Sequence, residues 1–262
     1  MNAYRCTRDP TFGGGSPEPT AATLTTLAKA VSKNGAALGI ANDGDADRIA
    51  VITPERGYLD ENLLFAAIYE YLLTNASGPA VRTVSTTHLI DRIAEAHGER
   101  VVETAVGYKW VAAAMREVDA LIGGEESGGF SIRGHVREKD GVLTAALVSA
   151  MTVEEPLDDR VDRILETYGG IVQDKISVSC PDEQKASVMA GLGDVLPETV
   201  AGSAVDSVST VDGYKITLAD GGWVLIRPSG TEPKLRVYGE ATTEKRVEEL
   251  LAAGRSLVES VD

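Results

Sequence analysis

Cysteine is nearly absent from this chain of 262 residues: Cys6 and Cys180 are the only two, far apart and in no CxxC spacing. That argues against a zinc site or a disulfide framework and makes a reducing compartment the default. Cationic charge is also scarce, with 25 Lys and Arg against 40 Asp and Glu and a net charge of −15. Nucleic acid and anionic membranes are therefore poor candidate partners. No apolar run approaches the ~18 residues of a membrane span. The opening Met1-Asn2-Ala3-Tyr4-Arg5 carries no apolar signal-peptide core. The chain also shows no internal repeat and no low-complexity tract. The expectation is a cytoplasmic globular protein, with 43% hydrophobic and 25% charged residues to build it.

Among what is present, the most informative stretch is Asn42-Asp43-Gly44-Asp45-Ala46-Asp47-Arg48, set between the apolar runs 38–41 and 49–52. Carboxylates at i, i+2 and i+4 either share one face of a strand or, if Gly44 bends the chain, converge in a tight loop. Three converging like charges repel, and a hard dication removes the conflict. Mg2+, which shares its shell between a few carboxylates and a phosphate, fits three carboxylates better than Ca2+, which wants a fuller cage. An EF-hand is excluded because Arg48 and Pro54 stand where Gly and Glu are required. Arg48 beside the carboxylates points to an anion as well as a cation. A solvated acidic turn is the plain alternative.

The pattern along the chain is α/β. A loop over 9–19 precedes a helix over 20–31, with Thr20 or Thr23 as its N-cap, and a short strand at 38–41. Strands are expected at 49–53, 81–85, 100–103 and 120–123, and helices at 61–73, 88–97, 109–118, 141–152 and 159–168. That alternation implies a mixed to mostly parallel sheet. After Gly169-Gly170 the order changes: a strand at 171–179, a helix at 182–192, strands at 208–211, 215–218, 223–226 and 235–240, and a helix at 243–258. Grouped strands of this kind imply a smaller α+β domain at the C-terminus.

Two further stretches carry chemistry. Arg227-Pro228-Ser229-Gly230-Thr231-Glu232-Pro233-Lys234, between two strands, combines a guanidinium fork, two hydroxyls and a glycine that lets backbone N–H groups come close, a phosphate cradle. The alternative is a hairpin turn with no ligand. Gly123–Gly129 follows a buried strand at its carboxyl end, where α/β sheets bind ligands, and Glu125 and Ser127 could grip sugar hydroxyls. In His135-Val136-Arg137-Glu138-Lys139-Asp140-Gly141, Asp140 is a natural N-cap, which leaves His135 and Lys139 free for proton transfer or phosphate contact. His88 is read as structural.

Together and in this order, 43–48, 124–128 and 227–233 resemble the α-D-phosphohexomutases, the phosphoglucomutase and phosphomannomutase enzymes. Lesser matches lie at Phe12–Pro19, Val106–Lys109 and Arg137–Gly141. The family moves a phosphoryl group between O1 and O6 of a hexose through a bisphosphorylated sugar and an enzyme phosphoserine. The resemblance implies an isomerase of carbohydrate metabolism acting on glucose or mannose 1- and 6-phosphates. Asp43, Asp45 and Asp47 would hold Mg2+, with Arg48 on the phosphoserine phosphate. Glu125 and Ser127 would bind sugar hydroxyls, Gly107 would line the site, and Arg227, Ser229, Gly230 and Thr231 would hold the phosphate that is not reacting. Lys139 would be the general acid/base, with His135 nearby. The family's serine lies in a Ser-His-Asn-Pro-like loop of its first domain, and no such loop occurs here. The implied domains are the end of domain two (1–54), domain three (55–168) and domain four (169–262), a truncated form whose activity alone is in question. Alternatives are a non-catalytic sugar-phosphate-binding module, or half of a pair completed by a chain carrying the serine domain. A Mg2+ phosphatase of the haloacid-dehalogenase type ranks last, because Asp47 stands where that class needs Thr.

Overall fold

The computed structural model describes residues 3–261 and divides into two compact units, one of residues up to 103 with 107–168, the other of 104–106 with 169–262. In the first, a 3-10 turn at Phe12–Gly14 precedes α1 (Thr25–Asn34), β1 (Gly39–Asn42), β2 (Ile49–Thr53) and β3 (Gly57–Leu59). These strands form an antiparallel sheet in the order β1-β2-β3. Every residue of β2 is buried, which accounts for the uninterrupted apolar run in its sequence.

There follow α2 (Glu61–Leu73), β4 (Ala80–Thr83), α3 (Leu89–Ala96), β5 (Val101–Thr104), α4 (Tyr108–Val118), β6 (Ile122–Gly124), β7 (Phe130–Ile132), α5 (Gly141–Glu154) and α6 (Leu157–Tyr168). The second sheet runs β5-β4-β6-β7, with β4 and β6 parallel and β7 antiparallel to β6. The α2 helix is capped by Asp60, which accepts from Asn62 N–H at 2.8 Å, and is buried along most of its length. Glu70 on α2 meets Arg160 and Arg163 on α6, each at 2.8 Å, so its buried charge is compensated.

The second unit contains β8 (Val172–Ser179), α7 (Asp182–Asp194), β9 (Thr199–Val200), β10 (Ser203–Ser209), β11 (Tyr214–Leu218), β12 (Trp223–Pro228), β13 (Lys234–Ala241) and α8 (Glu244–Glu259). Its sheet, ordered β8-β13-β12-β11-β10-β9, is antiparallel at every pairing. One apolar cluster, with Leu192, Ile216, Val224, Leu235, Val237 and Leu250 at its centre, joins this sheet to α7 and α8.

The α/β class holds, with corrections. The mixed strand directions hold, but they are divided between two sheets in the first unit, β1-β2-β3 antiparallel throughout and β4-β6-β7 mixed. The turn at 55–57 leads straight into β3, and β7 follows the glycine-rich loop; both are three-residue strands, too short to show a period. The α1 helix starts at Thr25, not Thr20. Thr20 and Thr23 spend their hydroxyls on a preceding turn, where Thr20 N–H donates to Thr23 Oγ1 at 2.8 Å, and neither caps α1. The strand expected at 208–211 begins at Ser203, because its first half alternates with polar residues and pairs with β9.

Candidate functional site

The aspartate triplet occupies the hairpin loop between β1 and β2, whose register pairs Asn42 with Ile49. The carboxylates therefore converge in a loop instead of sharing a strand face. One oxygen from each of Asp43, Asp45 and Asp47 lies within 4.8 Å of the others. The left-handed residue of the bend is Ala46 (φ 61°), not Gly44. Gly44 is needed for a different reason: a Cβ there would press on Phe12 and Pro17.

Arg48 organises this loop. Its backbone N–H reaches Asp43 Oδ1 at 3.1 Å and its Nε reaches Asp43 Oδ2 at 2.6 Å. Burial pushes the Asp43 carboxyl up, but the Arg48 bonds outweigh it and hold the group below the usual carboxylate range. The terminal nitrogens of Arg48 form a two-pronged ion pair with Glu18, at 2.6 and 2.7 Å. Arg48 is thus already held by carboxylates. Sequence reasoning quoted Glu18 without giving it this role, since nothing in a Pro-Glu-Pro stretch names its partner thirty residues on.

Two other segments are fastened to the loop. Ile49 N–H donates to Gly128 O at 3.0 Å, and Gly141 N–H donates to Ala46 O at 3.0 Å. A Cβ at Gly141 would collide with Asn42 and the carbonyls of Ala46 and Arg48, so the start of α5 can sit against the loop only as glycine. The same segment brings Lys139, whose Nζ lies 2.6 Å from Asp47 Oδ2 and 5.5 Å from the centre of the Tyr108 ring. His135 Nε2 donates to Asp140 Oδ2 at 2.9 Å, while Asp140 Oδ1 caps α5 by accepting from Leu143 N–H. The expectation that a capping Asp140 leaves His135 and Lys139 free is corrected: an aspartate has two oxygens, and His135 takes the second. Lys139 is bound by Asp47.

Glu125 is buried and accepts from Gly107 N–H at 3.1 Å. Burial, reinforced by Glu126, pushes its carboxyl up. Ser127 is exposed at the tip of the same loop. The first unit therefore assembles Asp43, Asp45, Asp47, Arg48, Lys139, Glu125, Ser127, Gly107 and His135 from four loops. Three hard oxygen donors with cations at their flanks suit a small dication that also meets a phosphate. Each carboxylate keeps acceptor positions beyond those its protein partners use.

In the second unit, Arg227, Ser229, Gly230 and Thr231 lie at and beyond the end of β12, in the β12–β13 hairpin loop, closed by Pro228 opposite Leu235. Arg227 Nε donates to Asp212 Oδ2 at 3.0 Å, which fixes the guanidinium plane and leaves its two terminal nitrogens without a protein acceptor among the described residues. Ser229 is buried, while Gly230 and Thr231 are exposed. The pairing of Asp212 with Arg227 is a cross-strand relation that a linear reading does not show.

The family description "Phosphoglucomutase/phosphomannomutase" matches in three parts: alpha/beta/alpha domain II over residues 3–57, alpha/beta/alpha domain III over 60–168 and the C-terminal domain over 176–255. A "Probable phosphoglucosamine mutase" of Methanopyrus kandleri is 38% identical over 91% of this chain and 51% of its own length. A phosphopentomutase of Thermococcus kodakarensis is 35% identical over 95% of this chain and 54% of its own length. The crystal structure of a phosphoglucomutase/phosphomannomutase family protein from Burkholderia thailandensis superposes with a TM-score of 0.80 at 22% identity, covering 97% of this chain and 53% of that one. The chain thus spans about half the length of the relatives it matches. Three consecutive family domains over most of its residues, together with relatives above one-third identity, lead to one conclusion: the chain belongs to the phosphoglucomutase/phosphomannomutase family.

Proposed function

We propose that this chain is the sugar- and metal-binding part of a cytoplasmic phosphohexomutase acting on glucose or mannose 1- and 6-phosphates, with residues 1–54, 55–168 and 169–262 as the end of domain two, domain three and domain four. Asp43, Asp45 and Asp47 would hold Mg2+, which when bound would supply neutralisation of the charge on a transferring phosphoryl group. Arg48 keeps Asp43 ionised and offers its terminal nitrogens to phosphate in exchange for their pair with Glu18. Lys139 exchanges a proton with the sugar hydroxyl, and its contact with Asp47 keeps its ammonium beside the metal loop. His135 orients the segment through Asp140. Glu125 and Ser127 receive sugar hydroxyls, and Gly107, whose N–H donates to Glu125, lines the site beside them. Arg227, Ser229, Gly230 and Thr231 grip the phosphate that is not reacting. The serine that carries the phosphoryl group comes from a region outside these residues, such as a complementing chain.

The observation that carries this reading is the convergence of three carboxylate oxygens within 4.8 Å, with Lys139 at 2.6 Å from one of them. A solvated acidic turn needs neither. The test is isotope-labelled glucose 1-phosphate incubated with the purified chain, Mg2+ and glucose 1,6-bisphosphate. Interconversion with glucose 6-phosphate supports the mutase. Binding without conversion supports the second reading, a sugar-phosphate-binding module. Release of inorganic phosphate contradicts both.

A further inference from the structure

Lys185 stands in the first turn of α7, where a cation opposes the helix dipole and costs a few tenths of a kcal/mol. Its ammonium has three N–H donors, and three acceptors meet them. Ser229 O lies at 2.6 Å, Glu232 O at 2.7 Å and Asp182 Oδ1 at 2.5 Å. Two of these are backbone carbonyls of the β12–β13 loop, reached from a residue more than forty positions earlier. The side chain is 14% exposed, so these bonds are largely shielded from water.

The geometry has a consequence for the anion. In a trans peptide unit the C=O and the following N–H point in opposite directions. A Ser229 carbonyl drawn onto Lys185 therefore turns the Gly230 N–H away from α7. Gly230 N–H meets no protein acceptor among the described residues, and Thr231 N–H has only a long 3.5 Å contact with Ser229 Oγ. Glu232 O also accepts from Lys234 N–H at 2.8 Å and stays held without Lys185, whereas the Ser229 carbonyl would be free to rotate toward the loop's open side and repel an anion there.

We propose that Lys185 is the positioning residue of the phosphate cradle: by holding the Ser229 carbonyl it aims the Gly230 amide at a sugar phosphate, while its bond to Glu232 O ties the far side of the loop to α7. This rests on the reading of 227–231 as a cradle. The test uses inorganic phosphate as the probe, followed in amide 15N–1H spectra of the full chain through the Gly230 signal, with Arg227→Ala as the control. The wild type is expected to show a saturable Gly230 shift that Arg227→Ala abolishes. Lys185→Met is expected to weaken phosphate binding about tenfold and to displace the unliganded Gly230 signal. Lys185→Arg, which keeps the charge and donors for both carbonyls, is expected to recover most of the affinity. Should Lys185→Met not yield folded protein, Lys185→Gln carries the same comparison. If Lys185→Met binds phosphate as the wild type does while Arg227→Ala does not, the positioning role is overturned and the cradle stands. If the wild type shows no Gly230 response, the cradle reading falls and this inference falls with it.

Discussion

Asp45 is the exposed member of the triplet, and among the described residues it has no hydrogen-bond partner. Its carboxylate has no structural duty to the loop, unlike Asp43, which binds Arg48. Asp45→Asn is therefore expected to leave the fold intact and to lower Mg2+ affinity about tenfold, or about 1.4 kcal/mol, by calorimetric titration. An unchanged affinity would remove Asp45 from the metal site. Glu125 gives a second test at this scale. Burial raises its carboxyl above the ordinary 4.5, so the folded chain holds that proton to higher pH than the unfolded chain does. The resulting penalty is absent below pH 4.5 and grows as pH rises through the folded value. Glu125→Gln should raise the melting temperature at pH 7 by about 1–2 °C and have no effect near pH 4. A gain of equal size at both pH values would mean that charge is not its cause.

Helix α5 begins against the metal loop, and its first turn depends on Asp140, which caps Leu143 N–H and holds His135. Asp140→Ala is expected to cost about 1 kcal/mol in urea unfolding, and Asp140→Asn, which keeps a capping oxygen, much less. Equal losses would mean that the cap is not what Asp140 contributes. At this scale the sequence was readable where a physical period was long enough. The α2 bounds, 61–73, followed from thirteen residues with an apolar face, and β2 from five consecutive buried residues. The three-residue strands β3 and β7 were not readable, nor was the true start of α1, where two threonines cap a turn instead of the helix. In the candidate site the residue types at 43–48 and 227–231 were visible because each motif is contiguous. Their partners were not. Glu18, Asp212 and Lys185 each reach their target across a loop or a sheet, and sequence distance carries no trace of that.

At the scale of the molecule, each unit carries its own core and its own loop site on a hairpin, β1–β2 in one and β12–β13 in the other. The six-stranded sheet of the second unit closes its apolar cluster with α7 and α8 alone. Residues 169–262 expressed alone are therefore expected to fold, giving dispersed amide spectra, and to keep phosphate binding that depends on Arg227. A collapsed spectrum would show that the core as described is incomplete. None of the helices among the described residues is long and apolar enough to cross a membrane.

The account as a whole requires that metal and sugar phosphate act together, and binding linkage is reciprocal. The most direct measurement is a calorimetric titration of glucose 1,6-bisphosphate into the chain with and without saturating Mg2+, repeated for Asp45→Asn and Arg227→Ala. The account predicts at least about tenfold tighter binding with Mg2+, a gain reduced in Asp45→Asn, and weaker binding in Arg227→Ala under both conditions. Bisphosphate affinity that ignores Mg2+ and survives Arg227→Ala would contradict it.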